Sequence, residues 1–371
     1  MIAQTLRSWR EVDDLSPEWN ALVGKSSNPS IFLTWEWIQA WRRVSKDVVS
    51  PFVVAVRDRE KRLCAVAPLY RSKFLLLGSV SYRALRFMSD IATGSDYPDW
   101  IVDQSVETEA AEAVSRELKA RAGEWDVIWL SSVAGWTSTD QRIIRSAANA
   151  GLLAKFRTRP FSAFALPADS MDFENSFSSR HRQQMRRNFR RTEKMEGVQF
   201  VRCNTDDQVS VFLDALFDLH QKRWKSVGLD GCFVRRPAEA SFYREFAKLA
   251  FSNGWLAAYG ILENGIFRAV QFGYTYNGAY LQLQEGYDPD FQQGAGNALR
   301  LFAIRDLIER GVAEYDFLAG DSEHKRRWNA VVRDGFDILL GSGSLRSRVM
   351  IGAGIWPSGR WVRQVNECGV N

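Results

Sequence analysis

The chain has 371 residues, of which 46% are apolar and 25% charged, with 49 Lys and Arg against 44 Asp and Glu for a net charge of +5. That length suits two domains of about 100–200 residues each, and that composition excludes disordered and fibrous classes. No run approaches the roughly 18 to 20 apolar residues of a membrane span, and the start MIAQTLRSWREVDD lacks the apolar stretch of a secretory signal, so a cytoplasmic protein without a membrane span is expected.

In chain order, FLTWEWIQAWRR (32–43) reads as a helix ending in tryptophan and basic residues. Strands are predicted over Pro51–Arg57 and Leu63–Tyr70 around the turn Asp58-Arg59-Glu60-Lys61. A helix over Val106–Arg121 and the strand WDVIWL (125–130) follow. Cys64, Cys203, Cys232 and Cys368 form no CxxC pair and the three histidines are scattered, so no metal site or disulfide framework is expected and the thiols are read as packing groups.

Charge concentrates in SRHRQQMRRNFRRTEK (179–194), which holds seven Lys/Arg against one Glu. At helical spacing Met185 and Phe189 share one stripe and Arg182, Arg186 and Arg190 the next, giving an anchored helix with a cationic face. Such a face suits the phosphates of a small ligand, RNA, or solvent alone. ALFDLHQKRWKS (215–226) then echoes the helix at 32–43.

Trp255–Leu262, Ile266–Tyr276 and Ala279–Glu285 read as strands joined by the turns Glu263-Asn264-Gly265 and Asn277-Gly278, a three-strand antiparallel meander. The segment GYDPDFQQGAGNALRLFAIRDLIERG (286–311) continues with a glycine turn and a helix over Asn297–Arg310, with apolar residues at Leu301, Ile304 and Ile308 and a cap at Gly311. EYDFL (314–318) makes a further strand. The first half repeats this order, except that TGSDYPDW (93–100) stands where the second half has QQGAG. The repeat divides the chain into a first unit over 1–165 that has lost the loop, a second over 166–345, and a basic tail over 346–371.

A glycine turn ahead of a helix exposes backbone N–H groups and the positive end of the helix dipole, which suit a phosphate. It is neither a dinucleotide fingerprint, since the third glycine and a preceding parallel βαβ unit are missing, nor a P-loop, since no Gly-Lys-Ser/Thr follows. Antiparallel strands, glycine loop, helix and strand are the order of GNAT-type acyltransferases. The quoted segment, with YDFLAGDSEHKRRW (315–328), resembles the CelD/BcsL family of GNAT-fold acyltransferases of cellulose and exopolysaccharide synthesis. The resemblance is strongest over 178–330 and extends to FLTWEWIQAW and the basic helix; Fem-like tandem-GNAT transferases are related.

The resemblance implies an α/β (α+β) fold of two tandem GNAT-like units with mixed sheets flanked by helices, the first degenerate. It also implies acetyl-CoA or another acyl-CoA as donor, with the loop residues Gln293, Gly294, Ala295, Gly296 and Asn297 holding it. Phe291 stands where the common loop has a polar residue, so contact is expected from backbone groups and Asn297. A saccharide or nucleotide-linked acceptor is implied, with polysaccharide-synthesis proteins as partners; aminoacyl transfer from tRNA and a non-catalytic binding module are the alternatives. Acyl transfer to a hydroxyl needs a base, and the strand ends supply Glu285 and Asp321 as candidates, with Lys325 to hold Asp321 or stabilise charge. Arg182, Arg186, Tyr287 and Trp328 are the expected acceptor contacts; His324 is a candidate proton shuttle and His220 a packing residue.

Overall fold

Two Asn-Gly turns set the architecture of the second half. Asn264 and Gly265 have φ of 51° and 80°, and Asn277 and Gly278 have φ of 46° and 77°. Such left-handed pairs match the twist of tight hairpins. They fold Leu256–Glu263, Ile266–Tyr276 and Ala279–Tyr287 into the expected meander, and Val198–Arg202 adds to its outer edge. The chain then needs a long crossover to return in the same direction, and the helix Ala295–Glu309 provides it. Glu314–Ala319 consequently pairs parallel with Ala279–Tyr287, while residues 161–165 pair antiparallel on its other side.

The computed structural model describes residues 1–45, 49–90 and 93–365; Cys368 lies outside them. The chain divides into two compact units, Met1–Pro160 with Arg333–Asn371, and Phe161–Val332. In the second unit one sheet face packs on the Ala295–Glu309 helix, burying Leu299, Ile304 and Leu307 against Tyr259, Tyr280 and Tyr315. On the other face Tyr243 and Phe246 of the helix Pro237–Ser252 meet Phe272 and Tyr274 at ring distances of 5.7 and 4.9 Å. Burial of each such side chain contributes about 1.5–3 kcal/mol.

In the first unit the strands Pro51–Arg57, Leu63–Leu76 and Val80–Phe87 form a meander, Glu107–Ala120 is the crossover helix, and Val127–Ala134 pairs parallel with Val80–Phe87. The order of the second unit is thus repeated. The stretch 93–100 is filled by its own side chains: Trp100 and Asp99 are fully buried, and Asp99 takes Arg142 at 2.5 and 2.6 Å.

The expected division at 165 and 345 and the expected basic tail are corrected. The first unit is discontinuous and is completed by the chain after 332. Gly335–Gly341 of the strand Val331–Gly341 pairs with Val127–Ala134, the helix Leu345–Gly352 buries Met350 with Phe74 and Leu339, and Val362–Val365 pairs with Lys73–Leu76. Counting arginines in this stretch hides the apolar residues that anchor it. No helix among the described residues is long and apolar enough to cross a membrane.

One irregularity fixes the site. In the pairing of Ile266–Tyr276 with Ala279–Tyr287, Phe272 faces Gln284 but Gly273 faces Gln282, so Leu283 is an extra residue. This bulge changes the alternation and puts Gln282 and Glu285, three apart, on one face, where their side chains bond at 3.1 Å. A Cβ on Gly273 would stand 2.1 Å from the Leu281 carbonyl oxygen and 2.8 Å from the Tyr280 ring. Gly273→Ala is therefore expected to destabilise the protein by about 2–3 kcal/mol, seen as a lower denaturation midpoint in urea.

Candidate functional site

The parallel pair is short. Ala279–Leu281 faces Glu314–Asp316, and beyond this the strands diverge, one still paired to Ile266–Tyr276 and the other to 161–165. Ligands of such sheets gather beyond the carboxyl ends of parallel strands. Here a cavity of about 350 Å3 lies there, lined by Glu285, Tyr287, the turn Gln293–Asn297, Arg223, Arg300 and His324.

The strand contributes backbone as well as side chains. The Asp288 N–H donates to the Arg268 carbonyl at 2.8 Å. Antiparallel alternation then turns Gly286 and Gln284 toward the same neighbour and points the N–H groups of Glu285 and Tyr287 the other way, into the gap. Neither finds a strand partner among the described residues.

The turn is braced from behind by the basic helix, Ser179–Glu193. Arg191 donates to the Gln293 carbonyl at 2.7 Å, and Gln292 donates to the Thr192 hydroxyl at 2.7 Å. Gly294 has φ of 91°, and a Cβ there would lie 2.8 Å from the Asn188 amide nitrogen. Gly296 differs, since a Cβ there would meet nothing within 4 Å. The helix starts without a side-chain cap, and the N–H groups of Gly296 and Asn297 have no backbone acceptor among the described residues. Free N–H groups at a helix N-terminus suit an anion, and the residues present fit a pyrophosphate.

Glu285, Arg300, His324 and Arg223 form one network. Arg300, fully buried, donates through Nη2 to Glu285 Oε2 and through Nη1 to His324 Nε2 at 2.8 Å. Arg223 donates to Glu285 Oε1 at 3.2 Å. Burial alone would raise the Glu285 carboxyl, but the charges of Arg300 and Arg223 hold it below the ordinary glutamate value. Burial, then the charge of Arg300, lowers the His324 pKa. Because a guanidinium has only donors, His324 Nε2 must accept, so the neutral ring carries its proton on Nδ1.

Of the residues expected at a site, the structure brings Glu285, Tyr287, Gln293, Gly294, Ala295, Gly296 and Asn297 together, with His324. It does not bring Asp321, whose carboxylate takes Arg326 Nε at 2.8 Å outside the cavity lining. Lys325 does not pair with Asp321 as a hydrogen-bond donor; its ammonium donates to the carbonyls of Phe317, Leu318, Ala319 and Gly320 at 2.7–3.2 Å. It stitches a tight strand exit in which Leu318 and Gly320 have φ of 61° and 99°. Trp328 is core, 2% exposed, beside Phe177 and under the Arg300 guanidinium. Arg182 is bonded to Asn175 at 3.1 Å, and Arg186 shares the buried Glu174 with Arg305, so neither lines the cavity. His220 packs as expected, its pKa lowered to about 4 by burial and by the charges of Arg223 and Arg235.

Sequence reasoning missed Arg300 and Arg223. For Arg300 a signal existed: it stands four residues before Ile304, on the buried stripe of the helix, where a cation needs partners.

Residues 179–326 match the family model of the acetyltransferase (GNAT) domain. The fold and this match define the class of the second unit, an acetyltransferase (GNAT) domain. Among solved structures, FemX shares the fold with a TM-score of 0.62 at 14% identity, over 91% of this chain and 97% of FemX. A conserved protein of unknown function from Bacteroides thetaiotaomicron reaches 0.54 at 12% identity, over 88% and 97% of the two chains. The C-terminal domain of a putative lysylphosphatidylglycerol synthetase from Agrobacterium fabrum reaches 0.52 at 11%, over 92% and 96%. At these identities the likeness concerns the fold. No curated protein is matched by the sequence.

Two variants separate the structural residues from the cavity. Lys325→Met should cost about 2–3 kcal/mol of stability, since charged-group hydrogen bonds to the carbonyls are lost, with ligand affinity of the folded fraction unchanged. Asp321→Asn should leave both turnover and CoA affinity within about twofold of wild type, because an exposed ion pair contributes little. Thermal melts and calorimetric titrations with CoA check both.

Proposed function

We propose that the second unit transfers an acyl group, with acetyl as the first candidate, from acyl-CoA to a saccharide or nucleotide-linked acceptor. The observation that carries the donor is the open turn at Gly296 and Asn297, whose free N–H groups share one cavity with Glu285. The acceptor class and a place in polysaccharide synthesis rest on the resemblance of 286–328 to the CelD/BcsL family.

The residues divide the work. The turn N–H groups and helix dipole hold the pyrophosphate. The N–H groups of Glu285 and Tyr287 point into the gap, where they can receive the thioester oxygen as negative charge develops on it. Glu285 takes the proton of the acceptor hydroxyl or amine as its oxygen or nitrogen bonds to the acyl carbon; the carbon–sulfur bond breaks, and the thiolate leaves and is protonated by solvent. The thioester supplies an activated acyl carbon. Arg300 keeps Glu285 ionised and positioned, and its bond to His324 leaves Nδ1–H as a donor for the acceptor. The Arg223 guanidinium, 5.0 Å from the centre of the Tyr287 ring, places a cation beside the acceptor contacts.

A second reading is aminoacyl transfer from tRNA, as in Fem-like enzymes, favoured by the whole-chain likeness to FemX. Binding of CoA in the micromolar range, with Gly296→Glu folded but unable to bind it, is the expected result; a folded wild type that binds tRNA but no CoA would favour the second reading. Glu285→Gln should lower turnover roughly 10²–10⁴-fold with CoA affinity little changed. Because the Glu285 pKa is depressed, its basic form persists above the ordinary glutamate value and is lost only as pH falls through the lowered one. The acid limb of kcat/KM should therefore lie below that ordinary value rather than near neutrality.

A further inference from the structure

The basic helix has an inner and an outer face, and the site described so far uses only the inner one. Inward, Asn188 backs Gly294, Thr192 holds Gln292, and Arg191 holds the Gln293 carbonyl. Outward, Arg187, Arg190, Arg191 and Lys194 line an open depression with Gln183 and Arg186. Among the described residues Arg186 is the one member with a carboxylate partner, Glu174. Arg187 donates to the neutral Gln184 amide at 2.6 Å, and Arg191 to a backbone carbonyl. Glu193 lines the neighbouring groove instead, with Arg186 and Arg190. Four cations on two turns of helix repel one another unless an anion sits among them.

Arg191 joins the two places. It lines the basic depression, and its guanidinium is 2.7 Å from the carbonyl of Gln293, which lines the cavity. The depression therefore starts one side chain away from the turn that offers its N–H groups to a pyrophosphate. Resting on that reading of the turn, we propose that the outer face of the basic helix, through Arg187, Arg190 and Lys194, binds the ribose 3′-phosphate of the donor, and so selects CoA over carriers without that group. In CoA the 3′-phosphate is separated from the pyrophosphate by a single ribose. It is a dianion near neutral pH, and guanidinium forks are suited to it. Arg182 and Arg186, by contrast, are tied to Asn175 and Glu174 and are left out.

The test compares CoA with 3′-dephospho-CoA by calorimetric titration of the full chain, wild type and Arg187→Gln/Arg190→Gln. Arg191 is left intact because it supports the turn. Wild type should bind CoA about tenfold or more tighter, as one charge-assisted hydrogen bond to phosphate gives, with the preference shrinking in high salt. The variant should lose that preference by weakening CoA alone, dephospho-CoA binding staying as it was. Equal affinities in the wild type would overturn the phosphate site while leaving the turn assignment standing, and so would a variant that weakens both ligands alike. Binding of neither compound would overturn the donor reading together with this one. A variant that loses affinity for bulk tRNA but keeps the full preference for CoA would overturn the proposal in favour of a nucleic-acid surface.

Discussion

The second unit depends on two parallel strands that cannot stay together. They pair over three residues, and after Leu281 and Asp316 each follows a different antiparallel neighbour. Separation leaves main-chain N–H groups without a ladder and creates a gap that side chains must fill or leave to a ligand. The Leu283 bulge brings Glu285 and Gln282 to one face, Arg300 reaches Glu285 from the crossover helix, and Tyr315 on the facing strand donates to Gln282 at 2.5 Å. Cavity, carboxylate and buried cation all follow from the divergence.

Burying Arg300 would be costly in isolation, because a guanidinium loses its hydration. Here Glu285 and His324 engage two of its nitrogens, and the rings of Phe317 and Trp328 lie 5.4 Å from it. The arrangement couples charge to shape: the carboxylate stays ionised because the cation is fixed, and the cation stays buried because the carboxylate is near. Trp328 thus serves the site from the core, through Arg300, rather than by stacking on a substrate.

What could be read from the chain alone was local. Asn264-Gly265 and Asn277-Gly278 specify hairpins through their own backbone preferences, and the strands expected around them and at 314–318 agree with the observed ones to within two residues, while Leu63–Leu76 runs six residues past its expected end. The glycine turn was equally legible as a turn, because its backbone preference resides in consecutive residues. Asp321 was misjudged as a neighbour of the cavity for the opposite reason: the positive φ at Leu318 and Gly320 redirects the chain after the strand, and Lys325 fixes that path by contacts no spacing rule contains. Leu283 offers no signal either, since a bulge belongs to a pairing and not to a residue. The discontinuous first unit was hidden because its closing strand lies some 200 residues downstream of its partner.

That discontinuity bears on synthesis. Residues 161–332 form a contiguous unit that has all its strands as soon as the ribosome has passed them. The unit that starts upstream of it waits longer: Val127–Ala134 keeps an unsatisfied edge until Gly335–Gly341 emerges, and Phe74 lacks its cover until Met350 does. Of the two units, the one made earlier is thus the later to be finished. In the interval it presents a bare strand edge, the kind of surface on which chains pair wrongly.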